Sequence, residues 1–145
     1  MPKTTSVKGV LALDLGTSSV RAVVYDTRGR MLDSTLSDLP YKVQTTEAGE
    51  VSSDPDDLVK LIATSIDQAL KAARKLNVTI LAAGASCYWH SLMGIDRQGR
   101  PTTELLTWAD TRSAPETRRL RARAGRAAET GRRTGVAVAH VPVHR

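Results

Sequence analysis

The stretch that limits this chain most is Val10-Leu-Ala-Leu-Asp-Leu-Gly-Thr-Ser-Ser-Val-Arg-Ala-Val-Val-Tyr-Asp26. Two runs rich in Val, Leu and Ala flank the turn Gly16-Thr17-Ser18-Ser19, the pattern of a hairpin of buried strands joined by a tight polar loop. Asp14 falls where the first strand ends. A turn of small residues is suited to specific chemistry. Gly16 lets the backbone come close to a ligand, the hydroxyls of Thr17, Ser18 and Ser19 donate hydrogen bonds, and consecutive N–H groups form an anion-binding concavity. A carboxylate beside that concavity repels a bare phosphate, so Asp14 makes most sense holding a cation such as Mg²⁺, directly or through water. Arg21, two residues past the turn, adds positive charge where its side chain reaches back. An ordinary hairpin with a polar turn and an incidental Asp stays open as a reading of this stretch alone.

At 145 residues the chain suits one domain with one core, and without phenylalanine that core must rest on Leu, Val, Ile and Ala. The single cysteine, Cys87, excludes an internal disulfide framework and fits a reducing compartment. No apolar run approaches a membrane span, and Met1–Lys8 lacks the pattern of a secretory signal. The expectation is a cytoplasmic protein with no membrane partner. The formal charge of +6 is unevenly placed: residues 1–111 carry 12 basic and 13 acidic side chains, and residues 112–145 carry nine arginines and two glutamates. That excludes a uniformly basic nucleic-acid-binding domain, and no stacking aromatic lies among the tail arginines, so no nucleic-acid partner is expected.

After the hairpin, Thr27-Arg-Gly-Arg30 is a second turn and Met31–Asp38 a third strand, ended by Pro40; together they make an antiparallel meander at one edge of a sheet. Tyr41–Thr46 alternates as a short strand does, and Glu47–Glu50 reads as loop. Ser53 or Asp54 caps a helix with Pro55 at its first position, followed by Asp56 and Asp57 near the positive end of the dipole. Leu58, Ile62, Ile66, Ala69, Leu70, Ala73 and Leu76 then give one apolar face, so the helix runs from about Pro55 to Lys75 and packs on the sheet. Val78–Ala85 is a continuous apolar run, read as a fully buried strand. Cys87-Tyr-Trp-His-Ser91 follows, then a strand candidate at Leu92–Asp96, the turn Arg97–Pro101 and another strand candidate at Leu105–Trp108. Glu116–Ala128 has a thin apolar stripe suited to a helix, and residues 131–145 have no convincing apolar face.

His90 follows the buried strand, where ligand contacts are common in α/β proteins; a packed or solvated histidine is the plain alternative. Cys87 has no base fixed beside it. His140 and His144 are four apart, but Pro142 between them breaks a shared helical face, and neither a Walker loop nor a dinucleotide fingerprint is present. Trp108-Ala-Asp110-Thr-Arg112 combines an aromatic wall, a carboxylate and a cation, or is simply a strand end closed by an Asp–Arg pair.

Taken in order, Asp14-Leu-Gly-Thr-Ser-Ser-Val-Arg21, the Asp54-Pro55 helix start, Trp89-His-Ser91, the turn framed by Asp96, Gly99 and Pro101, and Trp108-Ala-Asp-Thr-Arg-Ser113 resemble the N-terminal part of the FGGY carbohydrate kinases. That group includes glycerol, xylulose, ribulose and gluconate kinases. The later motifs at their spacings carry the resemblance, because actin-like and Hsp70-type ATPases have a similar Asp-x-Gly-Thr. It covers about Val10 to Gly135 and looks most like the gluconate-kinase-type members. It implies an α/β, ribonuclease-H-like fold of the actin-like ATPase superfamily, a mixed sheet with flanking helices, forming one domain of a normally two-domain kinase. By the resemblance ATP and Mg²⁺ are the cofactors. Asp14 (the metal residue), Gly16, Thr17, Ser18 and Arg21 serve Mg²⁺ and the phosphates, with Ser19 beside them in the turn. Trp89 and His90 lie against the sugar or sugar acid, and Asp110 is a further substrate-binding candidate.

The chain departs from the family after Gly135. The family's catalytic base, second phosphate motif and adenosine pocket come later in the chain, and here Val136-Ala-Val-Ala-His-Val-Pro-Val-His-Arg145 stands instead. The expectation is an incomplete kinase domain over residues 1–135 with a divergent, irregular tail over 136–145, no catalytic residue of its own and little or no activity alone. Its partner is then the missing C-terminal kinase domain, or a second copy through the interface that domain would cover. The alternative function is a non-catalytic binding or assembly module with an actin-like fold.

Overall fold

The computed structural model describes residues 6–122. β1 (Val7–Leu15) and β2 (Ser19–Asp26) form the hairpin, with Asp14 opposite Arg21 and Leu15 opposite Val20. β3 (Ser37–Pro40) adds to β2, and β6 (Val78–Ser86) runs parallel to β1, giving a four-stranded sheet in the order β3-β2-β1-β6. Parallel neighbours need a crossover, and α1 (Pro55–Lys75) supplies it. A second sheet of three short strands, β4 (Gln44–Thr45), β5 (Val51–Ser53) and β7 (Leu105–Leu106), has the order β4-β5-β7.

The helix begins and ends where its residues dictate. Asp54 accepts hydrogen bonds from the N–H groups of Asp56 and Asp57 at 2.8 and 3.1 Å, and Pro55 occupies the first turn, where its missing N–H costs nothing. Asn77, at φ 53°, turns the chain out of the helix in the left-handed region that Asn tolerates. Ala69 and Ala73 are buried against Leu11, Ala22 and Val24, with Ile66, Leu70, Val78 and Ile80 packed around them. Small residues on the helix let it sit close to the sheet, so a core without phenylalanine closes.

Two turns share one sequence pattern and one structure. In Asp26-Thr-Arg-Gly-Arg30 the Asp26 carboxylate accepts from Arg28 N, Arg30 N and Arg30 Nε at 2.8, 3.0 and 2.9 Å. In Asp96-Arg-Gln-Gly-Arg100 the Asp96 carboxylate accepts from Gln98 N, Arg100 N and Arg100 Nε at 2.9, 2.9 and 2.7 Å. Gly29 and Gly99 stand at φ 76° and 78°, which glycine adopts without a steric cost. Hydrogen bonds to Arg30, from its backbone first, hold the Asp26 carboxyl below the usual carboxylate range, and those to Arg100 do the same for Asp96.

Three expectations need correction. Met31–Asp38 is not one strand: Met31 only bridges Tyr25, Asp33–Thr35 is a 3-10 turn, and the strand is Ser37–Pro40. Thr35 is the reason. Its buried hydroxyl accepts from Val24 N at 2.9 Å and donates to Leu32 O at 2.7 Å, taking the place of a ladder carbonyl beside β2. Leu92–Asp96 is likewise no strand; Leu92 bridges Leu106 and Ile95 bridges Pro101, while Gly94 N donates to the Thr103 hydroxyl at 2.9 Å instead of to a backbone carbonyl.

The third correction concerns β6, which forms as expected but is not buried. It lies at the sheet edge beside β1 alone, and from Leu81 to Ser86 it is exposed, Leu81 by 55%. Its first residues, Val78 and Ile80, reach the core under α1; beyond them neither face is covered. Apolar residues on both faces identify a strand built for cover on both sides, but cover depends on neighbours and not on the strand's own residues.

The chain divides into two compact units, Met1–Asp110 and Thr111–Arg145. Within the second, α2 (Ala114–Ala122) is described, with Ser113 O accepting from Thr117 N at 3.0 Å near its start. The rest of the expected Glu116–Ala128 helix, the expected boundary at residue 135 and the tail over 136–145 lie outside the described residues.

Candidate functional site

The polar turn leaves β1 after Leu15, and its backbone bonding is asymmetric. Gly16 N donates to Ser19 O at 3.0 Å, Tyr41 N donates to Ser18 O at 3.0 Å, and the Tyr41 hydroxyl donates to Gly16 O at 2.8 Å. Three of the turn's carbonyls are thus engaged by the protein itself. Among the described residues, the N–H groups and hydroxyls of Thr17 and Ser18 have no such partner. What remains to offer a ligand is mainly donors, as an anion requires. Gly16 closes the turn tightly: a Cβ there would stand 3.2 Å from Ser19 O. Ser19 is buried as the first residue of β2, so it shapes the turn from within.

Asp14 sits beside this turn at the end of β1, with its side chain 56% exposed. Arg21 does reach back, to Asp14 Oδ2 from Nη1 at 3.3 Å and to Asp38 Oδ2 from Nε at 3.1 Å. The Asp38 contact first, and Asp14 with it, raises the guanidinium pKa further. Among the described residues no group of three or more His, Cys, Asp or Glu side chains gathers to cage a metal. Asp14 fits Mg²⁺ in the other common manner, one carboxylate completed by phosphate oxygens and water.

The parallel pairing of β1 and β6 sets Asp14 opposite Ser86. The turn and Cys87–Ser91 therefore emerge at the same end of neighbouring parallel strands, the position where open α/β sheets bind ligands. Tyr88 seals this proximity, its hydroxyl lying 3.1 Å from that of Tyr41. Trp89 is 77% exposed, and the rings of Trp89 and His90 meet edge to face at 6.0 Å. His90 has φ 54°, uncommon for a side chain of its size. From there Leu92 bridges Leu106, so the segment passes from the large sheet to the small one. Asp110 is held at the small sheet, accepting from Val51 N at 3.4 Å, with its own N–H donating to Thr107 O at 3.1 Å.

Residues 9–142 match the FGGY family of carbohydrate kinases, N-terminal domain. The chain belongs to that family. A glycerol kinase of Delftia acidovorans is 32% identical to this FGGY domain over 130 residues, 89% of this chain and 26% of that protein. A xylulose kinase of Streptomyces coelicolor is 32% identical over 127 residues, 87% of this chain and 25% of that protein. The crystal structure of gluconate kinase from Lactobacillus acidophilus aligns with a TM-score of 0.77 at 26% identity, covering 90% of this chain and 25% of that one. The expected mixed α/β, actin-like ATPase fold is the fold of this domain. The FGGY domain spans about a quarter of the length of the relatives it matches.

Tyr41 and Tyr88 are the site residues that sequence reasoning missed. Pro40 pairs with Ser19, which brings the residue after it beside the turn, and that register is visible only in the folded sheet.

Proposed function

We propose that this domain is the N-terminal portion of an ATP-dependent kinase that phosphorylates a hydroxyl of a sugar or sugar acid of the gluconate or xylulose kind. The observation that supports this most is the shared edge, with a donor-rich turn after β1 and Trp89-His90 after the parallel β6. ATP, when bound, supplies the phosphoryl group, with Mg²⁺ screening its charge. Asp14 holds the cation, and Thr17 and Ser18 donate to phosphate oxygens from N–H and hydroxyl. Gly16 keeps the backbone close, Ser19 shapes the turn, and Arg21 adds positive charge while orienting Asp14. Trp89 covers an apolar sugar face, His90 exchanges hydrogen bonds with hydroxyls, and Asp110 accepts from them. Phosphoryl transfer depends on positioning and charge neutralisation more than on covalent chemistry, and these groups serve both. The departing hydroxyl proton needs a base, a role assigned to no residue of this chain.

Because the domain spans about a quarter of its relatives, the partner this reading requires is the remainder of a kinase. The 145-residue chain alone then binds ligands without turning them over. Among the described residues no helix is long and apolar enough to cross a membrane. We place the domain in the cytoplasm, where an exposed thiol such as Cys87 stays reduced. The test combines two measurements on this chain. Gluconate or xylulose should quench Trp89 fluorescence in a Trp108→Phe background, and a coupled assay over gluconate, xylulose, ribulose and glycerol should show no turnover. Turnover would overturn the incompleteness, and absence of quenching by every compound would overturn the sugar site.

The exposed edge of β6 favours a second reading, a non-catalytic assembly module. A bare strand edge with apolar side chains is a template for pairing with another chain. Light scattering should then show concentration-dependent association, reduced by Leu81→Glu; a monomer at every concentration would exclude it.

A further inference from the structure

Between the segment that follows β3 and the first turns of α1 lies a cavity of about 260 Å³. Leu58 and Leu61 of the helix line it, with Tyr41 beside them. Polar groups with unused capacity share the wall. Ser53 is 5% exposed, and its buried hydroxyl has no hydrogen-bond partner among the described residues. Among those residues the side chains of Lys42 and Gln44, also on the wall, make no hydrogen bond or ion pair. Asp57 gives one carboxylate oxygen to Lys60 at 2.8 Å and keeps the other. We propose that this cavity is a binding site for one neutral sugar ring. Neither Trp89 nor His90 lines it, so the site does not rest on the proposed function.

The ligand class follows from what the wall offers. A buried hydroxyl without a partner is costly, and a ligand that bonds to it removes that cost. The wall mixes donors and acceptors: Lys42 donates, Asp57 accepts, and Gln44 and Ser53 do both. Sugar hydroxyls also do both, and the C–H face of the ring suits Leu58 and Leu61. Lys42 and Lys60 balance Asp54 and Asp57, so the cavity holds little net charge to attract a bare ion. The start of the helix is no anion site, because Asp54 already takes the N–H groups of Asp56 and Asp57 at 2.8 and 3.1 Å. The volume lies just under that of pockets for drug-sized ligands, roughly 300 Å³ upward, and suits a single ring. Tyr41 also bonds to Ser18 O and Gly16 O, so an occupant touches the residue that holds the polar turn.

Amide chemical-shift mapping of the 145-residue chain with D-glucose tests the site. Glucose should shift Gln44, Ser53 and Asp57 along one saturating curve, and inorganic phosphate should leave them unmoved. Gln44→Ala removes one neutral hydrogen-bonding group from an exposed position and should weaken glucose about fivefold. Leu61→Trp fills the cavity and should abolish the shifts. Should Leu61→Trp lose the fold, Gln44→Ala decides alone. His90→Ala should leave all three shifts in place, and their loss there would trace them to the segment after β6 and overturn the proposal. No shift at the three amides, equal affinity in Gln44→Ala, or a response to phosphate in place of glucose would overturn it as well.

Discussion

Arg21 stands directly across the β1–β2 ladder from Asp14 and divides its guanidinium between two carboxylates, Asp14 at 3.3 Å and Asp38 at 3.1 Å. All three side chains are about half exposed, so the pairs add little to stability. Their consequence is local. Arg21 orients Asp14 and competes with any cation that Asp14 would hold. Arg21→Gln should leave stability nearly unchanged. The same change should tighten Mn²⁺ binding at Asp14, measured by paramagnetic relaxation, and weaken inorganic phosphate binding at the turn. Movement of both affinities in one direction would contradict the division of roles.

His90 and Asp14 should separate cleanly. Removing one hydrogen bond to a neutral hydroxyl costs on the order of 1 kcal/mol, so His90→Ala should weaken sugar binding roughly fivefold in a fluorescence titration. Asp14→Asn should abolish the Mg²⁺ dependence of phosphate binding and leave sugar affinity nearly unchanged. Unaltered sugar affinity in His90→Ala would make His90 a packed residue with an unusual backbone.

Asp54, the residue that caps α1, should be costly to lose. Its carboxylate serves two N–H groups at the start of the crossover helix that covers the core. Asp54→Ala should lower unfolding stability by about 1 kcal/mol in urea denaturation, and Asp54→Ser should recover most of it. Equal losses in both variants would argue against capping as the cause.

The twin turns give an acid limb to stability. Asp26 and Asp96 are held below the usual carboxylate range by hydrogen bonds from Arg30 and Arg100. A depressed folded-state pKa contributes stability that is complete above the ordinary carboxylate value of about 4 and is lost as pH falls through the folded value. Unfolding midpoints should thus be flat from neutral pH down to about pH 5 and fall below pH 4. Asp26→Asn with Asp96→Asn should flatten that fall while lowering the neutral plateau. An acid limb unchanged in the double variant would place its origin elsewhere.

Local chemistry was legible in the sequence, and neighbourhood was not. The bounds of α1 follow from Asp54, Pro55 and the apolar stripe, and the turns from Asp26-x-x-Gly29 and Asp96-x-x-Gly99, because each rests on residues a few positions apart. The failures all involve distant partners. Thr35 breaks an apparent strand because its hydroxyl meets Val24, and β6 is exposed because only β1 flanks it. In the candidate site, Asp14 and the Gly16–Ser19 turn announced themselves by composition. The link from Tyr41 to Tyr88 spans three strands and a helix, and no local pattern encodes it.

The central claim is that the turn after β1 receives phosphate and the segment after β6 receives sugar, at one edge of one sheet. Amide chemical-shift mapping of the ¹⁵N-labelled chain tests it most directly, because it reads millimolar binding without requiring catalysis. Phosphate with Mg²⁺ should shift Gly16, Thr17 and Ser18, and gluconate or xylulose should shift Trp89, His90 and Ser91. Asp14→Asn should erase the first set alone and His90→Ala the second alone. Shifts scattered over the surface, or unchanged in both variants, would contradict the account.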